Sequence, residues 1–226
     1  MCYIRESSLK TSLVSGAAIV YLLMSGIPHF QWLGVALFGW CAMQFDEFLL
    51  WSENPREGCT ETNKLITATL IPLAVFLQGV TAMLGAFFVY PASTLKPYAI
   101  GWVVLSAATV YAMHFHNPDK LCTTLTKEGH LNWARTSDWS HIPLTRISMG
   151  YYYWAFVIFL PLLYLWNRSL LFLAAFTTLP AIGFYYGQTT DSGASIWCYY
   201  TSWSSAIAAL GLFLKQAGIY DVLRAP

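Results

Sequence analysis

Charged side chains are scarce in this chain. Its 226 residues include 12 lysines and arginines and 11 aspartates and glutamates, so 10% are charged, whereas a soluble domain carries about 25%. So few charges leave too little polar surface to cover a globule in water, but they suit a protein surrounded by lipid. The formal net charge of +1 also provides no basic face, which argues against nucleic acid as a partner.

Motifs typical of soluble metal and redox proteins are also missing. None of the five cysteines forms a Cys-x-x-Cys pair, so zinc-ribbon and thioredoxin-like proteins have no support. The His-Glu-x-x-His and His-x-x-x-His spacings of zinc-binding helices are absent as well. No small-residue cleavage site follows the first apolar run, residues 11–27, so we interpret it as a retained helix.

Long apolar runs dominate the chain instead. We predict seven membrane spans, each of about 20 residues, the length that crosses about 30 Å of hydrocarbon. The spans cover residues 11–27, 30–51, 64–90, 96–116, 147–166, 168–187 and 194–214. Because lipid cannot pair backbone polar groups, we expect an all-α polytopic membrane protein. Residues 1–226 would form a single seven-transmembrane-helix bundle, with the long loop 117–146 capping it between helices 4 and 5.

The orientation of this bundle depends on two features that disagree. An odd number of spans places the termini on opposite faces, and lysines and arginines on the N-terminal face outnumber those on the other, eight to four. That count favours a cytoplasmic N-terminus. Cys59 and Cys122 lie in loops of the same face, however, and a disulfide between them would favour an oxidising compartment. We expect the N-terminus outside and the C-terminus in the cytoplasm.

The most informative stretch is Trp40 to Trp51, WCAMQFDEFLLW, inside the second span. At spacings i, i+4, i+7 and i+11, one helical stripe contains Trp40, Gln44, Glu47 and Trp51. Asp46 is rotated about 100° from Glu47. A carboxylate in hydrocarbon costs roughly 3 kcal/mol or more, so it normally faces a protein interior or a wet cavity. The stretch therefore predicts an acidic polar pocket near one membrane face.

Other polar residues map to the same predicted helix bundle. Gln78, on the third span, is a natural hydrogen-bond partner for Gln44 and Glu47, and this contact could be nothing more than a clasp between helices. Trp197 and Cys198 begin the seventh span on the face near Glu47. A cysteine such as Cys198 is more often a small buried hydrophobic residue than a ligand.

Three histidines map to that face as well. His114, His116 and His130 carry imidazoles that could bind a metal ion such as Zn²⁺. The alternative for His114 and His116 is a cationic cap on the end of a helix, and for His130 it is a place in a loop anchored at the interface. A lysine-linked retinal is disfavoured because Lys215 lies at the edge of the last span, whereas a bound lipid remains compatible.

Four motifs carry a resemblance to a known family. They are Met1-Cys2, Gln44-x-x-Glu47-x-x-x-Trp51, Gly129-His130 and Ser195-Ile196-Trp197-Cys198. In these the chain resembles an uncharacterised family of small multi-pass membrane proteins found in bacteria and large DNA viruses, although Tyr3-Ile4 replaces that family's Phe-Ser. The resemblance implies no activity. It implies that Glu47, His130, Trp197 and Cys198 share one site, with Cys2 as a further candidate.

These observations favour a protein that binds or translocates an ion, a proton or a small molecule, as a transporter, channel or sensor does. Its partners would be membrane lipid and that ligand, and a homo-oligomer is left open. One rival is a membrane-embedded, metal-dependent lipid hydrolase. Another is a structural or assembly protein whose polar residues only join helices. The balance favours a protein that is not an enzyme.

Overall fold

The computed structural model describes residues 4–115, 122–133, 178–179, 181–183, 185–186 and 193–219. Helix α1 spans Arg5–Leu23 and helix α2 spans Pro28–Ser52. Gly26, between them, has a φ of 68°, a left-handed conformation that glycine adopts without steric cost. Pro28 opens α2, where its missing N–H is not needed for a helical hydrogen bond.

A second long helical path follows the loop after α2. Its parts are α3 (Glu61–Leu65), a π turn (Ile66–Leu70), α4 (Ile71–Gly85) and a 3₁₀ turn (Ala86–Phe88). Thr60 caps α3, since its hydroxyl accepts a hydrogen bond from the Asn63 backbone N–H at 3.0 Å. The π turn comes just before Pro72, whose ring and missing N–H are accommodated by the wider backbone spacing.

The other elements in the described ranges are one helix, a small hairpin and two shorter helices. They are α5 (Ala92–Phe115), β1 (Thr124–Leu125), β2 (Leu131–Asn132), α6 (Gly193–Ser202) and α7 (Ser204–Gln216). The two strands are antiparallel, with Leu125 opposite Leu131. The turn between them contains Gly129 at a φ of 82°.

Helix α2 lies at the centre of this arrangement. It packs most extensively against α4 and α1, and it also contacts α6 and α7. At Gly39 the backbones of α2 and α4 approach so closely that a Cβ atom would collide with the Thr81 hydroxyl and the Leu77 carbonyl. The indole N–H of Trp32 donates to the Ala82 carbonyl at 2.8 Å, which joins the same two helices.

Contacts at the helix ends define two ends of the bundle. The Arg5 guanidinium lies 5.0 Å from the centroid of the Phe48 ring, so the start of α1 lies beside the last part of α2. A disulfide between Cys59 and Cys122 joins the loop after α2 to the hairpin, and we call this the disulfide end. At the opposite end the Tyr21 hydroxyl donates to the Gln216 side chain near the end of α7.

The expected seven-transmembrane-helix bundle is wrong. Among the residues that the structure describes, two helices are long and apolar enough to cross a membrane, Pro28–Ser52 and Glu61–Phe88. Core helices of soluble proteins have the same length and composition, so these properties permit insertion without requiring it. Helix α1 falls short because hydroxyl and charged side chains interrupt its apolar run.

Two further parts of that expectation need correction. The predicted last span, 194–214, is interrupted at Trp203 and forms two helices of 10 and 13 residues. The capping loop contains a β-hairpin, so the chain is mostly helical rather than all-α. The predicted span 147–166 and most of 168–187 lie outside the described residues.

Candidate functional site

Glu47 and Gln44 lie on the face of α2 that points into the helix bundle. Both side chains are 0% exposed, and Gln44 Nε2 donates to Glu47 Oε2 at 3.0 Å. The predicted stripe is confirmed for these two residues and for Trp40, which are all buried, while Trp51 is half-buried. Glu47 is five residues from the end of α2, or about 7.5 Å along the helix axis. The site therefore lies close to the disulfide end.

The second oxygen of each side chain lacks a well-formed hydrogen bond. In the described part of the chain, neither Glu47 Oε1 nor Gln44 Oε1 makes a hydrogen bond of normal geometry, although both atoms are buried. Both atoms are hydrogen-bond acceptors. Leaving a buried acceptor unpaired costs about 1–3 kcal/mol, so the site as it stands favours a partner that carries positive charge or a proton.

Two residues from other elements reach the same carboxylate. Ser195, on α6, places a hydroxyl beside Glu47, and Trp133, directly after β2, places an indole N–H beside it. The sequence pattern did not assign either residue to the site. Ser195 belongs to the motif that also contains Trp197 and Cys198, which was the one available signal. No sequence signal assigned Trp133 to the site, because a tryptophan in a long loop usually indicates an anchor at the membrane interface.

Helices α4 and α6 supply the next layer of the site. Gln78, predicted to lie beside Gln44 and Glu47, donates from Nε2 to Cys198 Sγ at 3.5 Å. Trp197 packs against Trp40 with ring centroids 5.5 Å apart and planes tilted by 55°. Cys198 is fully buried and Trp197 is 2% exposed, so aromatic rings and a thiol exclude water from this side of the carboxylate.

The charges around Glu47 do not balance. Asp46, its neighbour in sequence, is only 7% exposed and places a second carboxyl group close by. The ion pair found in the described ranges joins Lys64 and Glu61 at 2.5 Å on the surface of α3, and no described cation pairs with Asp46 or Glu47. Burying an unpaired carboxylate is costly, so the two acids favour binding of a proton or another cation.

The hairpin is fastened over this end of the bundle. Beside the disulfide, Asn63 Nδ2 donates to the Thr123 carbonyl at 2.9 Å, and the Thr123 N–H donates to Asn63 Oδ1 at 3.0 Å. The Thr67 and Thr123 hydroxyls are 2.8 Å apart. We call Asn63, Thr67 and Thr123, which are all buried, the latch. The latch fixes the start of the hairpin, and Trp133, directly after the second strand, contacts Glu47. Nothing in the sequence distinguished the latch residues from ordinary residues at a helix end.

The histidines were predicted to hold a metal ion. His130 is 4% exposed in the hairpin turn, where its backbone N–H donates to the Thr126 hydroxyl at 3.2 Å. The side chain of His114 and all of His116 lie outside the described residues, as does Cys2. Within the ranges described, no three His, Cys, Asp or Glu residues converge on a point where they could bind a metal.

No protein-family model, curated protein or solved structure matches this chain. The resemblance to small multi-pass membrane proteins therefore stays a prediction. Of the residues that it assigns to one site, Cys198 lies within electrostatic reach of Glu47, and the hairpin that carries His130 packs on α6. The fold and the site together define a helical protein with two helices of membrane-spanning length and an enclosed acid near the disulfide end.

Proposed function

We propose that the protein is an integral membrane protein that binds or translocates a proton or small cation at Glu47. The observation that supports this most strongly is the pair of adjacent buried acids, Asp46 and Glu47, which have no cationic partner among the described residues. A larger molecule is less compatible with the site, because Glu47, Gln44 and Cys198 are all 0% exposed.

The surface of the long helices supports a position in lipid. Phe38 and Phe45 on α2 are 51% and 50% exposed, and Leu73 and Leu84 on α4 are 50% and 45% exposed. These side chains point away from the protein interior, so lipid tails are the environment that suits them. In this proposal α2 and the helical path from Glu61 to Phe88 both cross the membrane.

An orientation belongs to the same proposal. A disulfide persists on the oxidising side of a membrane, so the disulfide end, with Arg5 and the start of α1, faces outside. The contact between Tyr21 and Gln216 places the end of α7 at the opposite end of the bundle. In this proposal that end faces the cytoplasm.

Flux measurements in proteoliposomes test this function. Vesicles containing the purified protein and a trapped pH-sensitive dye are driven by a potassium diffusion potential, and parallel vesicles are assayed for sodium and potassium uptake. We expect the wild-type protein to take up protons, sodium or potassium. This uptake should be lost in Glu47→Gln, because the amide can neither take up a proton nor balance the charge of a cation.

The matched control is Glu6→Gln, which removes the same charge from an exposed position in the first turn of α1. This variant should transport at the wild-type rate. If uptake were unchanged in Glu47→Gln, Glu47 would have no role in the function. If no cation uptake depended on the protein, translocation would be excluded.

The structural alternative, in which the polar residues only join helices, is less well supported. The Gln44–Glu47 hydrogen bond lies within α2. Ser195 on α6 does reach Glu47, and Gln78 on α4 bonds to Cys198 on α6, but these contacts give the two adjacent acids no described cation. Helices α2 and α4 are instead joined by bonds away from the site, including the one from the Thr81 hydroxyl to the Ala36 carbonyl at 3.1 Å. The lipid-hydrolase alternative has no supporting observation in the described ranges.

A further inference from the structure

We propose that the ligand of this site is a proton, carried by Glu47 as a carboxylic acid paired with the side-chain amide of Gln44. This inference rests on the proposed function and narrows its ligand from a cation in general to a proton. In the pair, Gln44 Nε2 donates to Glu47 Oε2, as the structure shows at 3.0 Å. The protonated Oε1 of Glu47 donates in return to Gln44 Oε1.

The unpaired atoms at the site are the first line of evidence. The two buried oxygens that make no hydrogen bond of normal geometry, Glu47 Oε1 and Gln44 Oε1, belong to the two groups that already share one hydrogen bond. A carboxylic acid and a primary amide are complementary, since each offers one donor and one acceptor. One proton added to Oε1 turns an acceptor into a donor, and a single new bond can then satisfy both atoms.

The chemistry of the surrounding groups is the second line of evidence. A bound calcium ion takes six to eight oxygen ligands, and magnesium requires an octahedral set. Beyond Glu47 and Gln44, the groups on the carboxylate and in the next layer are the Ser195 hydroxyl, the Trp133 indole N–H and the Cys198 thiol. An N–H points positive charge toward the site and repels a metal ion, so these groups do not form the oxygen ligand set of a divalent metal.

The charged and titratable groups near Glu47 come from two helices. Asp46 lies next to it on α2, and Cys198 faces it from α6. From the hairpin comes the neutral indole of Trp133, and from α4 comes Gln78, bonded to Cys198. Both titratable neighbours are acids, so a proton on Glu47 lowers the total negative charge that the site has to bury.

Infrared spectroscopy of the protein in lipid vesicles tests the inference. A protonated carboxylic acid has a carbonyl stretch that is separate from the bands of the carboxylate and the amide, and that shifts to lower frequency in D₂O. We expect this band at neutral pH in the wild type and in Asp46→Asn, and its loss in Glu47→Gln. In Gln44→Met the band should move to higher frequency, because the acid carbonyl loses its amide donor.

A measurement without substitutions keeps the test valid if a variant fails to fold. Labelling the glutamate carboxyl groups of the wild type with carbon-13 should shift the band, whereas labelling the aspartates should leave it in place. A band that follows aspartate, or the absence of any acid band at neutral pH, would overturn the inference.

Infrared and uptake measurements on the same samples distinguish a failure of the acid–amide pair from a failure of the proposed function. Sodium or potassium uptake that depends on Glu47, without an acid band, would show that the ligand is not a proton. The proposal that Glu47 binds a cation would still hold. An acid band that depends on Glu47 in vesicles without cation uptake would support the acid–amide pair and overturn translocation.

Discussion

Two glutamates of this chain show how the surroundings of a carboxylate decide its role. Glu61 lies on the surface of α3 and pairs with Lys64 one turn away, an arrangement that contributes little to stability. Glu47 is enclosed by α2, α6 and the end of the hairpin, with one hydrogen bond of normal geometry and no described cation. The same side chain is a solvated helix residue in one place and a candidate binding site in the other.

Substitutions at Glu47 should separate shape from protonation. Glu47→Gln keeps the shape and adds a donor where the protonated acid would have one, so we expect its free energy of unfolding to lie within about 0.5 kcal/mol of the wild type, as for a substitution without a cavity or an unpaired charge. Glu47→Ala leaves a cavity and strands Gln44, and should cost about 1–3 kcal/mol. Thermal unfolding in detergent measures both. A Glu47→Gln variant as unstable as Glu47→Ala would indicate a buried carboxylate anion.

The stability of the hairpin should depend on pH through His130. Burial lowers the pKa of this imidazole below its usual 6.5, with the nearby Glu128 carboxylate acting in the opposite direction. Between the folded pKa and 6.5 the unfolded chain binds more protons, so the free energy of unfolding rises with pH across this window. The contribution is complete above 6.5 and is lost as the pH falls through the window.

Melting temperatures of the wild type and His130→Gln, measured from mildly acidic to neutral pH, check this dependence. The wild type should lose stability on acidification below the usual histidine pKa, and the variant should show a shallower slope. Equal slopes in the two proteins would show that His130 does not contribute.

At the level of whole elements, the contact between α2 and α4 depends on one glycine. A methyl group at Gly39 would meet the Thr81 hydroxyl and the Leu77 carbonyl, and the carbonyl belongs to backbone that cannot move aside. We expect Gly39→Ala to destabilise the protein by about 1–3 kcal/mol through overpacking. The matched control is Gly16→Ala in α1, where a Cβ atom has nothing within 4 Å and should stabilise the helix by about 0.5–1 kcal/mol.

Denaturation of both glycine variants in the same detergent measures this difference. Opposite signs for the two substitutions are the expected result. A Gly39→Ala variant as stable as the wild type would mean that α2 and α4 do not approach closely at this point.

The latch makes a separate prediction about the hairpin. Asn63→Ala removes the two hydrogen bonds that Asn63 makes to the Thr123 backbone and should cost about 1–3 kcal/mol, while the Thr123 N–H keeps the Thr67 hydroxyl as an acceptor at 3.1 Å. Since the disulfide still holds Cys122, the loss should be local, and amide hydrogen exchange should accelerate across residues 122–133. Thr69→Ala, which removes an exposed hydroxyl bonded to its own helix, should leave exchange in the hairpin unchanged. Exchange equally slow in Asn63→Ala and the wild type would show that the disulfide alone fastens the hairpin.

The parts of the structure that the sequence predicted correctly depend on residues that are close together along the chain. The predicted spans 30–51 and 64–90 correspond to Pro28–Ser52 and Glu61–Phe88, because apolar runs bounded by proline, glycine and polar residues mark the helix ends. The burial of Gln44 and Glu47 followed from helical spacing. The possible pairing of Cys59 with Cys122 is a disulfide in the structure.

The parts that it missed depend on contacts between distant residues. Trp133 reaches Glu47 from a segment 86 positions further along the chain, and Asn63 bonds to Thr123 across 60 positions. No local pattern encodes such contacts. The number of spans failed for a different reason. Hydrophobic length was counted, while the interruption at Trp203 and the charged and hydroxyl side chains of α1 were given too little weight.

For the whole molecule, what matters is whether any part of the chain supplies the positive charge that Glu47 lacks. An experimental map that resolves the side chains of residues 1–226 would decide this. We expect no Lys, Arg or His side chain within ion-pair distance of Glu47, and we expect Glu47 Oε1 and Gln44 Oε1 within hydrogen-bonding distance of each other. A cationic side chain of the same chain bonded to Glu47 Oε1 would contradict the proposed cation site and leave a buried structural ion pair in its place.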